Sequence, residues 1–427
     1  MYRDIAELRS QWRPLSSATI GLACGLVMNS YVVGIMAPHL MAEFAWSKSE
    51  FALLGAFGLL AMLAFPFVGR LTDIIGVRRT ALIGVIASPL IFLAFSRIHD
   101  LRSYAFLFAL QCCILTTTTP PVYCRVVVQY IKRARGLALA LAASGPPATL
   151  ALAGPLLNNF VTEHGWRAGY VALAVFAAVV GSLALLLMPP ERKAEAVEAK
   201  PKKAKEDYRR IFRSRAFWVL FAATLFCNLP HSVMITQMNL ALVENGVNGK
   251  AISVMITGFA AGVIVGRFAS GVALDRFPAP WVATISLGLS AVGLLGLASP
   301  FDQTAVLFTS VLLMGLAHGA ESDILAFLVV RNFGVRIYSS VYGLLSATVG
   351  LSGAIGAGLL SGMIAMTGRF APYLGVTGTL VLAGSVLFLF LPRKTEFVDE
   401  AEGAEPAAAD AVPAGLEAEI AAVSPGR

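Results

Sequence analysis

Charge is what this chain has least of. Only 14% of its 427 residues are Asp, Glu, Lys or Arg, against roughly a quarter in soluble domains, so it cannot cover a surface that faces water on all sides. Its five cysteines (Cys24, Cys112, Cys113, Cys124 and Cys227) all fall in apolar stretches. That excludes a disulfide framework in the loops and leaves small buried side chains as their plain reading. No Cys/His spacing suggests zinc, no glycine loop is built to cradle phosphate, and no nucleophile stands with a base. Enzyme chemistry, a resident metal, a cofactor and a nucleotide drive are therefore not expected. A cleavable leader is not apparent either. Met1 to Ser17 mixes Arg3, Arg9 and Arg13 with Asp4 and Glu7, and the apolar run that follows is full spanning length.

What remains is apolar length. The chain is 57% hydrophobic with a mean hydropathy of +0.75, and runs of about 20 apolar residues, enough for ~30 Å of hydrocarbon, recur throughout. Twelve spans are expected, roughly 16–38, 50–71, 79–97, 103–129, 136–161, 167–188, 216–242, 251–273, 281–299, 304–330, 336–364 and 371–391. Loops after the even spans carry Arg78 and Arg79, Lys132, Arg133 and Arg135, a basic linker, Arg276, and Arg331 and Arg336. The opposite loops are thinner in Lys and Arg, with Arg97 and Arg102 the chief exception. The positive-inside bias puts both termini in the cytoplasm, and an even span count agrees in requiring them on the same side. The net charge of +8 is thus a topology signal; the linker's ten basic residues between 191 and 215 have no aromatic interleaving that would suit a nucleic acid.

Halfway along, the chain repeats itself. Gly69-Arg70-Leu71-Thr72-Asp73-Ile74-Ile75-Gly76-Val77-Arg78-Arg79 returns as Gly271-Val272-Ala273-Leu274-Asp275-Arg276, 202 residues later. Ser144 falls on Ser346 and Gly154 on Gly356 at the same offset, and Gly165-Trp166-Arg167…Tyr170 matches Gly368-Arg369-Phe370…Tyr373 at 203. Gly136-Leu137 best matches Gly343-Leu344, which needs 207 and implies a slip at the start of span eleven. An internal repeat in an apolar chain is the mark of a two-halved transporter. The expected organisation is a six-helix bundle over 1–188, a cytoplasmic basic linker over 189–215, a second six-helix bundle over 216–392 and a disordered cytoplasmic tail over 393–427, rich in Ala, Glu, Pro and Gly.

Over about residues 15–392 these features resemble the major facilitator superfamily. Gly69, Asp73, Gly76, Arg78 and Arg79 fill its best-known loop pattern, and Gly271, Asp275 and Arg276 keep part of it, with Pro278 where a glycine is usual. The resemblance implies an all-α membrane protein of twelve transmembrane helices in two pseudo-symmetric bundles. It implies no cofactor, a functional monomer and a place in the plasma membrane, here a bacterial inner membrane. These loop residues are expected to gate the cytoplasmic side, glycine allowing close helix approach and Asp73 capping or pairing at a helix end. Ala45-Trp46-Ser47, Arg135-Gly136-Leu137-Ala138 and Gly165-Trp166-Arg167 look like the oxalate/formate and monocarboxylate branch, which moves small organic anions, often with a proton.

Ionisable side chains inside a membrane cost ~2.5–3.5 kcal/mol each on insertion scales, so each is a functional candidate. Arg125 (span four) and Arg267 (span eight) are candidate ligands for an anionic substrate; Glu321 and Asp323 (span ten) are candidate proton carriers. By the family arrangement, spans one, four, seven and ten line the cavity. The 202 offset sets Arg125 level with Phe327, one turn from Asp323, so an Arg125–Asp323 pair across the halves is expected. It reads either as a proton-controlled switch or as a fixed structural bridge. Glu321 and Asp323 are two residues apart, about 200° around a helix, so only one can face Arg125. Arg267 stands where, by resemblance, a membrane arginine binds carboxylate; it could also snorkel to the interface. Val263 occupies a place where monocarboxylate carriers often have Asp, and span eleven lacks the lysine of oxalate carriers. Asn29, Tyr31 and Gln237 are further candidates for substrate contact, with Gln111, Asn228, His231 and His318 as lesser polar groups. Pro120-Pro121 and Pro146-Pro147 should break spans four and five. The expected function is alternating-access import of a small organic monocarboxylate with protons. The rivals are a proton-driven exporter of drugs or metabolites, against which Leu156-Leu157-Asn158-Asn159 lacks the closing glycines of the antiporter pattern, and a ligand sensor, which lacks an output domain.

Overall fold

A computed structural model describes residues 2–46, 57–190, 204–301 and 303–392, without the side chains of Tyr2, Val27, Asn29 to Tyr31 and Ala204. The tail expected over 393–427 lies outside the described residues. Among those described, nine helices are long and apolar enough to cross a membrane. One, Arg135–Leu187, has 53 residues and would reach about 80 Å if straight, far beyond one crossing. Gly165 breaks it with φ 83° and ψ 160°, and Gly169 beyond the break lies against Val161 before it, so the chain doubles back into two crossings. Spans one and seven, each interrupted, complete the twelve.

The interruptions have local causes. In span four, Pro120 and Pro121 have no N–H to offer the carbonyls one turn earlier. The helix Leu101–Ile114 tightens into a 3-10 turn, Leu115–Thr118, and Thr119 goes extended (φ −107°, ψ 172°) before Pro120–Tyr130. The Thr119 hydroxyl donates to the Thr116 carbonyl that the prolines leave unpaired. Span one, Trp12–Ala23 and Asn29–Phe44, is broken at the same depth without a proline. Its Leu26 N–H donates to Thr118 Oγ1 at 3.0 Å, and a Cβ on Gly25 would lie 2.4 Å from the Thr118 carbonyl oxygen. The two breaks are stitched to each other. Span seven breaks after Arg215–Cys227 at Pro230 and resumes through a π-helical stretch, Val233–Gln237. In span five Arg135–Ala143 stops at Ser144 and a new helix starts at Gly145, with Pro146-Pro147 in its first turn.

The repeat is structural as well as sequential. Gly165 and Gly368 both take positive φ, 83° and 69°, at the turns after spans five and eleven. Span one ends on Glu43, which accepts from Trp166 Nε1 and from Arg167 Nη1 at 2.6 Å. Span seven ends on Glu244, which accepts from the Phe370 N–H at 3.0 Å and lies 3.8 Å from Arg369 Nε. An acid at the end of the first helix of each half thus pins that half's last hairpin. The basic linker is not loop throughout: Ala204–Arg213 is a helix, on the face that also carries the basic loops.

Candidate transport site and the latches between halves

The two halves meet through the repeated Gly-x-x-x-Asp loops, each reaching across to the other half. Asp73, near the end of the helix Gly58–Ile75, accepts from the backbone N–H groups of Ser339 (3.2 Å) and Ser340 (2.7 Å) in the first turn of the helix Tyr338–Thr367. Asp275, capping Gly249–Leu274, accepts from Gly136 N–H (2.6 Å) and Leu137 N–H (3.0 Å) at the start of Arg135–Ala143. A carboxylate at a helix N-terminus satisfies orphan amides and meets the positive end of the helix dipole. The glycines make the approach: a Cβ on Gly69 would stand 2.1 Å from the Ser339 carbonyl oxygen, and one on Gly271 2.9 Å from that of Gly136. Gly136 and Leu137 therefore correspond to Ser339 and Ser340, 203 residues on, and the slip implied by Gly343-Leu344 does not exist. Gly76 turns the chain from span two to span three at φ 90°; Pro278 makes the equivalent turn at φ −58° over a longer loop. Arg78, Arg79 and Arg276 are exposed beside the latches.

Arg125 does not meet Asp323. It is 4% exposed and donates to Asp73, inside its own half. Arg125 lies about one and a half turns from the linker-face end of Pro120–Tyr130, at the depth of the latch, whereas Asp323 lies about three turns from the end of Thr304–Phe333. Asp73 thus holds together three elements: span four through Arg125, span two, and the far half's span eleven.

The partner of Asp323 is Arg267. Spans eight and ten approach closely because glycines face each other: Gly262 and Gly266 on one, Gly315 and Gly319 on the other. A Cβ on Gly266 would stand 2.0 Å from the Leu316 carbonyl oxygen, and one on Gly319 2.0 Å from that of Val263. One turn past this contact, Arg267 Nε stands 3.9 Å from Asp323 Oδ2. Ser322 donates to Asp323 Oδ1 at 3.1 Å and Tyr342 donates to the Ser322 carbonyl at 3.2 Å. Asp323 Oδ2 is buried without a hydrogen bond, and the Arg267 guanidinium makes none among the described residues. Its side chain is 15% exposed against 3% for Asp323, so the pair is loose and its cation is the accessible member.

Glu321 points elsewhere, as the 200° separation requires. It lines a small cavity with Thr224, Cys227 and Asn228 of span seven. His318 Nδ1 stands 3.8 Å from its Oε2, and the His318 ring lies 5.9 Å from that of His231 and 6.0 Å from that of Phe259. Asn228 donates to the Thr224 carbonyl, and its Oδ1 is unpaired. Gln237 is half-buried where the π-helical stretch ends. The side chains of Asn29 and Tyr31 lie outside the described residues. Gln111 is fully buried with neither amide atom paired. Sequence reasoning missed Glu43 and Glu244, although an acid closing the first apolar run of each half, 201 residues apart, was the available signal.

Known proteins agree with this architecture. The family model of the Major Facilitator Superfamily matches residues 19–247 and 232–422. Monocarboxylate transporter 11 of Mus musculus is 24% identical over 387 residues, 88% of this chain and 86% of the relative; its Homo sapiens counterpart is 23% identical over 383 residues, 87% and 80%. A variant of the E. coli fucose:proton symporter superposes with a TM-score of 0.70 at 14% identity, covering 89% of this chain and 98% of its own. A FucP structure described as outward in conformation gives 0.75 at 12% identity, covering 90% and 99%. A non-enzymatic, multi-pass membrane transporter with this loop pattern, this repeat and a model match along nearly its whole length, the chain belongs to the Major Facilitator Superfamily.

Proposed function

We propose that the protein imports a small organic monocarboxylate together with protons, by alternating access, acting as a single chain. The observation that carries this reading is the loose pair of Arg267 and Asp323: an accessible guanidinium deep in a span, facing a buried carboxylate that has no hydrogen bond on one oxygen. A substrate carboxylate offers Arg267 the bidentate contact that Asp323 does not make. Once its counter-charge is taken, Asp323 is a buried carboxylate with no facing cation, held only by the Ser322 hydroxyl, and taking up a proton removes that uncompensated charge. The occupied site would carry a neutral sum of substrate and proton, which lowers the cost of closing the protein around it. Where the monocarboxylate pattern often has an acid on span eight, this chain has Val263; Asp323 supplies a carboxylate to the same arginine from span ten. Glu321, with His318 beside it, is a second proton stop on the side of span seven. The relatives' names, a monocarboxylate transporter and a proton symporter, favour the same cargo and drive.

Arg125 belongs on this reading to the gate and not to the substrate. Asp73 and Asp275 close the linker face, and release of both latches opens it. The positive-inside bias of the loops makes the linker face cytoplasmic, in a bacterial inner membrane with both termini inside. Proteoliposomes loaded with a pH-sensitive dye and offered labelled monocarboxylates of two to six carbons test the proposal. An inward proton gradient should drive accumulation, and substrate should acidify the lumen. If none of the acids accumulates, or accumulation leaves lumenal pH unchanged, the reading fails.

A further inference from the structure

Two short helices take no part in the scheme above: Tyr2–Ser10, before span one, and Ala204–Arg213, before span seven. They are copies within the repeat. Each ends directly before the cap of the following span, Gln11 and Ser214, 203 residues apart, and at that spacing Asp4 falls on Asp207.

Asp207 is 5% exposed. Its Oδ2 accepts from Arg70 Nη1 at 2.9 Å, and its Oδ1 lies 3.1 Å from Arg336 Nη2. Arg70 follows Gly69 in span two, and Arg336 stands two residues before span eleven begins at Tyr338. A carboxylate outside both bundles therefore ties one element of each half, at the place where Asp73 ties them from within. The fully buried Ile211 and the Tyr208 ring, 5.9 Å from the Arg70 guanidinium carbon, seat the helix there.

The other copy covers the other latch. Glu7 accepts from the N–H groups of Lys132 (3.0 Å), Arg133 (3.0 Å) and Ala134 (2.9 Å), in the loop that leads directly to Gly136 and Leu137. Arg133 is the repeat equivalent of Arg336, 203 residues earlier. Both helices thus set an acid against the segment that leads into a latch helix, Asp207 against the Arg336 side chain and Glu7 against the Arg133 amide.

We propose that the helix Ala204–Arg213 is an outer clasp that holds the linker-face ends of the two halves together through Asp207 and must let go before that face opens, while its copy Tyr2–Ser10 braces, within the first half, the loop that leads into the other latch. The clasp rests on the alternating-access part of the proposed function and not on the cargo. Asp207 binds two arginines from different halves and is shielded from solvent, so it can act as a clasp. The N-terminal helix grips only its own half, through Glu7 and backbone amides.

Spin-label distances in the full-length protein test this without any substrate. One label pair, Arg79→Cys with Val335→Cys, spans the first latch; a second, Lys132→Cys with Phe277→Cys, spans the other, each on a Cys113→Ser background. Asp207→Asn should raise the ratio of separated to joined populations about tenfold at the first pair, the loss of charge-assisted contacts that were shielded from water. Arg336→Gln should give a smaller rise, and adding it to Asp207→Asn should give little more, because both remove one interaction. Glu7→Gln, whose contacts stay within one half, should leave the second pair unchanged. Asp73→Asn serves as the reference for latch opening. If Asp73→Asn separates the labels and well-folded Asp207→Asn does not, the clasp is refuted and alternating access stands. If neither does, alternating access fails and takes the clasp with it.

Discussion

The two halves share their frame and differ in their middle. Interrupted first helices, acids at the ends of spans one and seven, glycine turns after spans five and eleven, and Asp73 and Asp275 reaching into opposite helices all recur 201–203 residues apart. The polar centre does not. Arg267, Asp323, Glu321, His318 and His231 correspond at an offset of 202 to Phe65, Pro121, Thr119, Thr116 and Asn29. Conversely Arg125, which neutralises Asp73, corresponds to Phe327, and Asp275 is met by backbone amides. Each half has placed an arginine where the other has phenylalanine: the first half at a latch, the second at the centre. The difference teaches that the frame is what both halves must do together, while charge is assigned to one half at a time, for one task at a time.

The largest effect should come from removing the central charge. Arg267→Gln is expected to lower carboxylate uptake about a hundredfold or more, the scale of truncating one member of a desolvated charge pair, with insertion and size-exclusion profile unchanged. Phe65→Leu, at the equivalent position of the first half, should leave uptake within about twofold. Equal losses in both variants would mean that the centre is symmetric after all.

The latches break the comparison at the next level. Asp73→Asn leaves Arg125 buried without its counter-ion, which typically costs about 3–5 kcal/mol. Asp275→Asn removes only a helix cap, about 0.5–2 kcal/mol. Thermal unfolding in detergent should therefore show a much larger drop for the first, and Arg125→Gln in the Asp73→Asn background should recover part of it. Indistinguishable midpoints for the two Asp variants would show that Arg125 does not set the first latch apart.

The spans, their count and the repeat were legible in the sequence because hydropathy and loop charge are local properties, and a membrane punishes their violation strongly. The acids of the latches were legible too, as parts of a motif. Their partners were not, since Ser339 and Ser340 are recognised only as amides of a helix start 266 residues away, and amides carry no residue signature. Asp207 and Glu7 were hidden for a similar reason, lying among charged residues that read as ordinary solvated surface. The Arg125–Asp323 pairing failed because offset alone compares depth between halves and ignores nearer partners. Asp73, at the latch end of the adjacent span, reaches Arg125 first, and the glycine contact of spans eight and ten brings Arg267 to Asp323. That contact was readable: Gly262-x-x-x-Gly266 and Gly315-x-x-x-Gly319 are paired small-residue motifs.

Those glycines also separate the halves. Their counterparts in the first half are Leu60, Ala64, Cys113 and Thr117. Gly266→Ala would drive a Cβ into the backbone of span ten, and forcing two helices apart typically costs about 1–3 kcal/mol. It should lower the unfolding midpoint and, by parting Arg267 from Asp323, raise the KM for substrate. Ala64→Gly, the reverse change in the first half, should cost no more than about 1 kcal/mol and leave KM unchanged. A KM shift of equal size in both would detach the central pair from the glycine contact.

The smallest effect tests the charge environment of the second latch. Burial first pushes the Asp275 carboxyl above its ordinary value, and Asp4 and Glu7 of the N-terminal helix add to this, while the Leu137 and Gly136 amides oppose it. Opening the latch exposes the group and returns it toward that ordinary value. The closed state therefore holds its proton to higher pH than the open one. The strain of the ionised closed form is present in full above the raised value, and it disappears as pH falls through the raised value and then through the ordinary one, near 4. Closure at this latch should accordingly tighten on acidification. The Lys132→Cys and Phe277→Cys label pair should show the joined population growing as pH is lowered toward the ordinary carboxylate value, near 4. Asp275→Asn should abolish the change, and Glu7→Gln should shrink it. A joined population that falls on acidification would reverse the sign, and would place the amides of Gly136 and Leu137, rather than burial, in control of Asp275.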